Sequence, residues 1–248
     1  MFKIVAHRGV SEQAPDNTLP AFLLAKELGA DSVELDVRLT ADQIPIVFHY
    51  YYMDGLTSLV GPIYNYTYNE LRQAKLFHHG IPAIGISIPT LDEVLDGLGN
   101  QIGLEIEIKG PEPSSVDMVA SVLIKYPQTL DKIEITSYEP LLLERFRQLI
   151  PGVPVDLLIP LTETWMKNDV LAYTSLQRSY LAGARAVHLH SSQLTDEIVS
   201  VIREGGCEVH AWGINDPSSL EVAEKLKIPQ ICTDNLRQAI QFREELKK

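Results

Sequence analysis

The chain has 248 residues, of which 45% are hydrophobic and 22% charged, an ordinary globular usage that argues against disorder. Its formal charge of −12 repels nucleic acid and anionic surfaces at long range, so any phosphate binding must come from a local cluster of cations. No stretch approaches the roughly 18 apolar residues of a membrane span.

The N-terminal MFKIVAHRG has one basic residue before the HR pair and too short an apolar run for a signal peptide, which points to a cytoplasmic location. Within it, IVAH at 4–7 reads as a strand. A helix follows from about Thr18 to Leu28, with Asn17 or Thr18 as its cap and Gly29 as its stop. VELDV at 33–37 is the next strand. IVFH at 46–49 is a further apolar run, but the eight residues between Val37 and Ile46 are too few for a parallel crossover, which needs about a dozen. A hairpin remains. A turn near Asp42 places opposite one another residues whose numbers sum to about 84, so His49 returns close to Leu35 and Asp36.

Residues 50–90, with YYYMDG and IYNYTYNE, form an excursion too long for a usual βα loop, and it is aromatic rather than flexible in composition. Thr90 with Glu93 three residues on is a capping-box pattern that opens the helix LDEVLDGL. GLEIEIK at 103–109, IEITS, VDLLI, AVHLH, EVHAWG and ICTD then alternate with helices near 115–125, 139–149, 168–182, 195–204 and 217–225 and a last one to about 246. Cys207 and Cys232 stand in strand-like runs with no metal-ligand spacing, so two buried thiols are expected. With the hairpin run set aside, the chain contains eight β-then-α units. Such alternation implies a parallel sheet, and eight units fit a closed (β/α)8 TIM barrel better than an open doubly wound sheet. The expected organisation is one α/β barrel domain over residues 1–248, with an insertion at about 50–90.

Two strands carry an unusual charge pattern. Val33, Leu35 and Val37 alternate with Glu34, Asp36 and Arg38, and Leu104, Ile106 and Ile108 alternate with Glu105, Glu107 and Lys109. In a barrel the apolar faces meet the outer helices, which turns the carboxylates inward. Ionised carboxylates cannot share a low-dielectric space unless something positive pairs with them. A cation satisfies that need, and oxygen-only ligands favour a hard ion such as Mg²⁺ or Ca²⁺ over zinc. An internal salt-bridge network with Arg8 and Lys109, or an antiparallel sheet with these charges in solvent, would account for the same pattern. His7 and Arg8 end the first strand, where barrel active sites lie. A histidine exchanges protons near neutral pH and an arginine fork binds two phosphate oxygens, so the pair suggests phosphoryl chemistry.

AHRG at 6–9, PDNT at 15–18, ELD at 34–36, FH at 48–49, EIK at 107–109 and AWGIN at 211–215, in this order over essentially the whole chain, resemble the glycerophosphodiester phosphodiesterase family. The resemblance implies a (β/α)8 barrel that hydrolyses small-molecule glycerophosphodiesters to sn-glycerol 3-phosphate and an alcohol. It makes His7 and His49 the acid/base pair, Arg8 and Lys109 the phosphate-contacting cations, and Glu34, Asp36 and Glu107 the ligands of one divalent cation, Mg²⁺ or Ca²⁺ with Mn²⁺ as an alternative. Trp212 matches an aromatic of the substrate pocket, and the motif selects Glu107 rather than Glu105. The sequence does not say which histidine is the acid, and it leaves the oligomeric state open. No serine or cysteine belongs to the motifs, so either the substrate's neighbouring hydroxyl or a water is the nucleophile.

Two positions depart from the family pattern. Asp16 replaces the usual glutamate of PENT, and Tyr50 replaces an aspartate expected to orient His49 or to support the metal site. His188 and His190 share one strand face, either adding to the pocket or buried and hydrogen-bonded. A lysophospholipase D-like enzyme, a phospholipase C-like enzyme cleaving the other ester bond, and a barrel retained as a binding module are the competing functions.

Overall fold

The computed structural model describes residues 1–110, 112–163 and 165–247. In chain order the strands are β1 (Lys3–Ala6), β2 (Ser32–Leu39), β3 (Pro45–Val47), a short pair β4 (Phe77–His78) and β5 (Ile81–Pro82), then β6 (Gly103–Ile108), β7 (Ile133–Ser137), β8 (Val155–Leu158), β9 (Ala186–His190), β10 (Glu208–Trp212) and β11 (Gln230–Thr233). The helices are α1 (Leu19–Leu28), α2 (Tyr68–Gln73), α3 (Leu91–Leu98), α4 (Ser115–Leu123), α5 (Pro140–Leu149), α6 (Asn168–Ala182), α7 (Asp196–Glu204), α8 (Pro217–Lys225) and α9 (Leu236–Glu245). Strands β1, β2 and β6 to β11 are parallel neighbours, and β1 pairs with both β11 and β2, which closes the sheet into the expected eight-stranded barrel.

The alternation in β2 and β6 sorts as barrel geometry requires. Val33, Leu35, Val37, Leu104, Ile106 and Ile108 are buried in the core shared with the surrounding helices. Glu34, Asp36, Glu105 and Glu107 are also buried, and parallel register sets Glu34 beside Glu105 and Asp36 beside Glu107. Burial on both faces is what a helix-covered parallel sheet demands. The same sorting continues round the barrel through Glu134, Asp156, His188 and His210, all buried. Cys207 and Cys232 are buried and free.

The hairpin forms in the expected register. β3 runs antiparallel to β2 with Val37 opposite Val47, Arg38 opposite Ile46 and Leu39 opposite Pro45, and the Phe48 N–H donates to the Asp36 carbonyl at 2.9 Å. From here the excursion builds a satellite core of Ile46, Phe48, Met53, Ile63, Leu71, Leu76 and Ile88. Each such burial contributes about 1.5–3 kcal/mol relative to exposure, which orders this long connection. α3 opens with the expected capping box, Thr90 Oγ accepting from the Glu93 N–H at 3.0 Å and Glu93 Oε2 from the Thr90 N–H at 2.9 Å. α1 differs: Thr18 occupies the cap position without a capping hydrogen bond. Its hydroxyl donates to the Pro15 carbonyl, and the Asn17 side chain is drawn to Asp36. Among the described residues, no helix is long and apolar enough to cross a membrane.

Candidate active site

The C-terminal ends of β1, β2 and β6, together with the residue chain leaving β3, converge on one polar site. His7 and Arg8 follow β1 directly. Arg8 has φ 55°, a left-handed conformation uncommon outside glycine and costing of order 1–3 kcal/mol. Its N–H donates to the Glu34 carbonyl and to Glu34 Oε2, both at 3.1 Å, which holds it there. Gly9 must be glycine, since its φ is 83° and a Cβ would lie 2.6 Å from the Ala21 backbone. The HRG turn is therefore fixed by the close approach of α1.

Glu34, Asp36 and Glu107 each offer a carboxylate oxygen, all within 4.8 Å of one another. Two cations enter the group: Arg8 Nε is 3.2 Å from Asp36 Oδ2, and Lys109 Nζ is 2.9 Å from Asp36 Oδ1 and 2.7 Å from Glu107 Oε2. The carboxylate cluster and the salt-bridge network are thus made of the same residues. Asn17 completes the shell of Asp36, its Nδ2 donating to Asp36 Oδ2 at 2.7 Å while its Oδ1 accepts from the Asp36 N–H at 3.0 Å. Burial would raise the Asp36 carboxyl, but Lys109 and Arg8 hold it well below the usual range. Burial, reinforced by the Asp36 charge, pushes Glu34 up to about 8 and Glu107 up to about 7. Three carboxylates against two cations leave the group short of positive charge. Asp36 Oδ1 is buried against the Lys109 ammonium at 2.9 Å. An all-oxygen set of three buried carboxylates whose nearest oxygens lie within 4.8 Å of one another fits a hard divalent cation.

The histidines occupy opposite electrostatic situations. His7 Nδ1 lies 2.6 Å from Asp234 Oδ1, and its Nε2 lies 3.9 Å from Glu34 Oε2. Burial opposes its protonation, yet the Asp234 hydrogen bond and the Glu34 charge outweigh it and raise His7 above its usual value. His49 is lowered to about 3 by burial and by Lys109 and Arg8, against the pull of Asp36. Its carbonyl accepts from Arg38 Nε at 2.8 Å, and its Nδ1 is buried with no hydrogen-bond partner. Trp212 closes β10 at the same end of the barrel. It meets the His190 ring edge-on at 4.5 Å, and its indole N–H is buried and unpartnered. A cavity of about 340 Å³ opens beside His7 and Arg8, walled by Tyr50, Phe77, His78 and Asp234.

Comparison with known proteins gives the same answer from outside the site. Residues 7–238 match the Glycerophosphoryl diester phosphodiesterase family. The chain belongs to this family of phosphodiester hydrolases. It is similar to YhdW of Bacillus subtilis, a protein provisionally named a glycerophosphodiester phosphodiesterase, with 32% identity over 93% of each chain. A glycerophosphodiester phosphodiesterase of Bacillus altitudinis is 27% identical over the full length of both. Among solved structures, an Oleispira antarctica phosphodiesterase in complex with the product sn-glycerol-3-phosphate superposes with a TM-score of 0.83, at 26% identity over 96% of this chain and 95% of that one.

The two departures from the family's pattern have definite places. Asp16 lies 3.5 Å from Arg8 Nη1, so the shorter acid still faces the guanidinium. Tyr50 packs edge-on against His49 at 4.8 Å and lies under Arg8 at 5.8 Å, giving His49 an aromatic neighbour in place of an aspartate. His188 and His190 divide: His188 is buried deep in the barrel, while His190 is half-buried beside Trp212. Sequence reasoning missed Asp234, the partner of His7. The signal was there in ICTD, since closing a barrel brings the end of the last strand beside the end of the first. The AWGIN asparagine explains itself too, because Asn215 Nδ2 donates to Asp234 Oδ2 at 2.7 Å and its Oδ1 accepts from the Asp234 N–H at 2.8 Å.

Proposed function

We propose that this enzyme hydrolyses glycerophosphodiesters to sn-glycerol 3-phosphate and an alcohol, with one divalent cation at Glu34, Asp36 and Glu107 and with His7 and His49 carrying protons. The observation that supports it most is the convergence of three buried carboxylates, two cations and two histidines at the C-terminal end of a barrel, where barrel chemistry is done. The relative crystallised with sn-glycerol-3-phosphate supports the product.

The charge balance points the same way. With all three carboxylates ionised, Arg8 and Lys109 leave one charge uncompensated, which agrees with Glu34 being pushed up to about 8 when no further cation is present, and a phosphodiester adds another. A dication balances the sum, and hard oxygen ligands select Mg²⁺ or Ca²⁺, with Mn²⁺ as the alternative. A cation held by Glu34, Asp36 and Glu107 would supply Lewis-acid stabilisation of the phosphoryl charge. Arg8 presents its fork to the phosphoryl oxygens, and Lys109 offers a further positive contact as charge grows in the transition state. The Asp234 hydrogen bond, which favours the protonated form of His7, and the burial that favours neutral His49 support complementary roles in proton transfer to a leaving alkoxide and from a nucleophile. The unpartnered Trp212 N–H is a donor for substrate, and the cavity walled by Tyr50, Phe77 and His78 receives the alcohol group.

The test is incubation with several glycerophosphodiesters and with a lysolipid, each with Mg²⁺, Ca²⁺ or Mn²⁺, followed by identification of products. Release of sn-glycerol 3-phosphate from glycerophosphocholine is expected. Release of glycerol and phosphocholine instead would make the enzyme phospholipase C-like, faster turnover of the lysolipid would make it lysophospholipase D-like, and no turnover with any metal would leave a binding module.

A further inference from the structure

A second polar group lies in the barrel interior, away from the mouth. Asp156 of β8, His188 of β9 and His210 of β10 are each no more than 3% exposed, and register sets the two histidines side by side. His188 Nε2 is 3.1 Å from His210 Nδ1 and 3.3 Å from Asp156 Oδ2, and His210 Nδ1 is 3.8 Å from Asp156 Oδ2. The circle through three atoms at these separations has a radius of about 2.0 Å, the length of a zinc–nitrogen or zinc–carboxylate bond.

The far side of each ring explains why the near nitrogens matter. His210 Nε2 faces Glu208 Oε2 at 3.3 Å, and His188 Nδ1, buried and without a hydrogen-bond partner, faces Glu105 Oε1 at 3.5 Å. A carboxylate behind an imidazole keeps the proton on the far nitrogen and presents a lone pair on the near one, the arrangement found behind metal-bound histidines. With the far nitrogens protonated, two lone pairs 3.1 Å apart and a carboxylate oxygen face one another, and a cation between them would take the place of the proton that otherwise joins His210 Nδ1 to His188 Nε2. Arg185 does not fill that role. It binds the Asp156 carboxylate as a fork, with Nε donating to Oδ1 at 3.1 Å and Nη2 reaching Oδ2, the oxygen that also faces the histidines, and, at 2.6 Å, Glu134 Oε2. It thereby orients the carboxylate and is shared between Glu134 and Asp156. At the N-terminal ends of the strands a cavity of about 340 Å³ is bordered by Lys3, Gly103, Ile133, Glu134, Pro154 and Arg185, the last of which holds Asp156.

We propose that Asp156, His188 and His210 form a second metal site, which takes a borderline dication of the zinc class and ties β8, β9 and β10 together below the catalytic mouth. Two imidazoles and one carboxylate suit zinc or cobalt, whereas the mouth's oxygen-only set suits magnesium or calcium. The two sites are thus separable by metal chemistry.

The probe is Co²⁺, added to the metal-stripped full-length protein. About one equivalent is expected to bind with visible d–d absorption, to be displaced by Zn²⁺, and to persist in Glu107→Gln and in His79→Ala, but to vanish in His210→Gln and His188→Gln. The thermal midpoint should rise with Zn²⁺ in the wild type and not in those two histidine variants. Folding of the His210→Gln and His188→Gln proteins is checked by turnover with saturating Mg²⁺ or Ca²⁺, expected at the wild-type level. Where a variant fails to fold, zinc-edge X-ray absorption on the wild type at one equivalent decides, with two imidazole nitrogens expected. Absence of a bound equivalent, oxygen-only ligation, or absorption that survives in a folded His210→Gln protein would overturn the proposal.

Discussion

The two halves of the barrel interior are built from the same inward-facing strand positions, yet they are held in different ways. At the mouth, the carboxylates of Glu34, Asp36 and Glu107 come from neighbouring strands, but their partners come from irregular backbone: Arg8 and Asn17 have φ of 55° and 58°, and Asp234 lies beyond the end of β11. In the lower half, Asp156, His188 and His210 lie in regular parallel register and are braced by Arg185. The mouth opens on a cavity walled by the excursion, while the lower group is buried in the barrel interior. The contrast shows how a barrel separates labour. Strand register alone suffices to gather polar side chains, but chemistry on a substrate needs loop residues that can approach it, and those loops tolerate strained conformations.

Substitutions at four groups of residues test that division, beginning with the largest effect. His7→Ala and His49→Ala should each lower kcat by about 10²–10⁴-fold while calorimetric metal affinity at the mouth is retained. Near wild-type kcat in either would remove that histidine from the catalytic set. Glu34→Gln, Asp36→Asn and Glu107→Gln should each weaken Mg²⁺ or Ca²⁺ binding and lower the rate by at least about 10²-fold, more than the loss of an outer-shell partner costs. Addition of a chelator to the wild type should abolish turnover, with restoration by excess Mg²⁺ or Ca²⁺. Unchanged affinity in all three variants would dissolve the mouth site as a metal centre.

Asp234→Asn should have a smaller effect. It replaces a charged hydrogen bond to His7 with a neutral one, an interaction worth about 1.5–3 kcal/mol, so kcat should fall about 10–10²-fold. KM and the thermal midpoint should stay near wild type, since Asp234 is half exposed at the barrel rim. A loss confined to stability would make it structural rather than a positioning residue. His210→Gln is expected to change kcat least of all. A large loss of turnover in that folded variant would mean the two halves are coupled rather than separate.

Much of this arrangement was legible in the sequence because strand periodicity is strict. Alternation in VELDV and LEIEIK sends every second residue to one face, so the burial of Glu34, Asp36, Glu105 and Glu107 inside a closed barrel follows from spacing once eight βα units are counted. The hairpin register was equally readable, because a loop of a few residues admits one alignment and returns His49 to Asp36. The order of short motifs carried the family and the candidate residues. Asn17 was readable only as a helix cap, because its approach to Asp36 depends on how α1 meets the mouth rather than on its neighbours in sequence.

What the tertiary structure alone decided are the contacts made by closure. Asp234 meets His7 across 227 positions of sequence because the last strand returns beside the first, and no local pattern encodes that distance. The same holds for Asp156, His188 and His210, which lie on three successive strands and look in the sequence like isolated polar residues. Alternation determined which way each side chain points. Strand order and stagger determined which of them face each other, and those depend on the whole sheet closing upon itself.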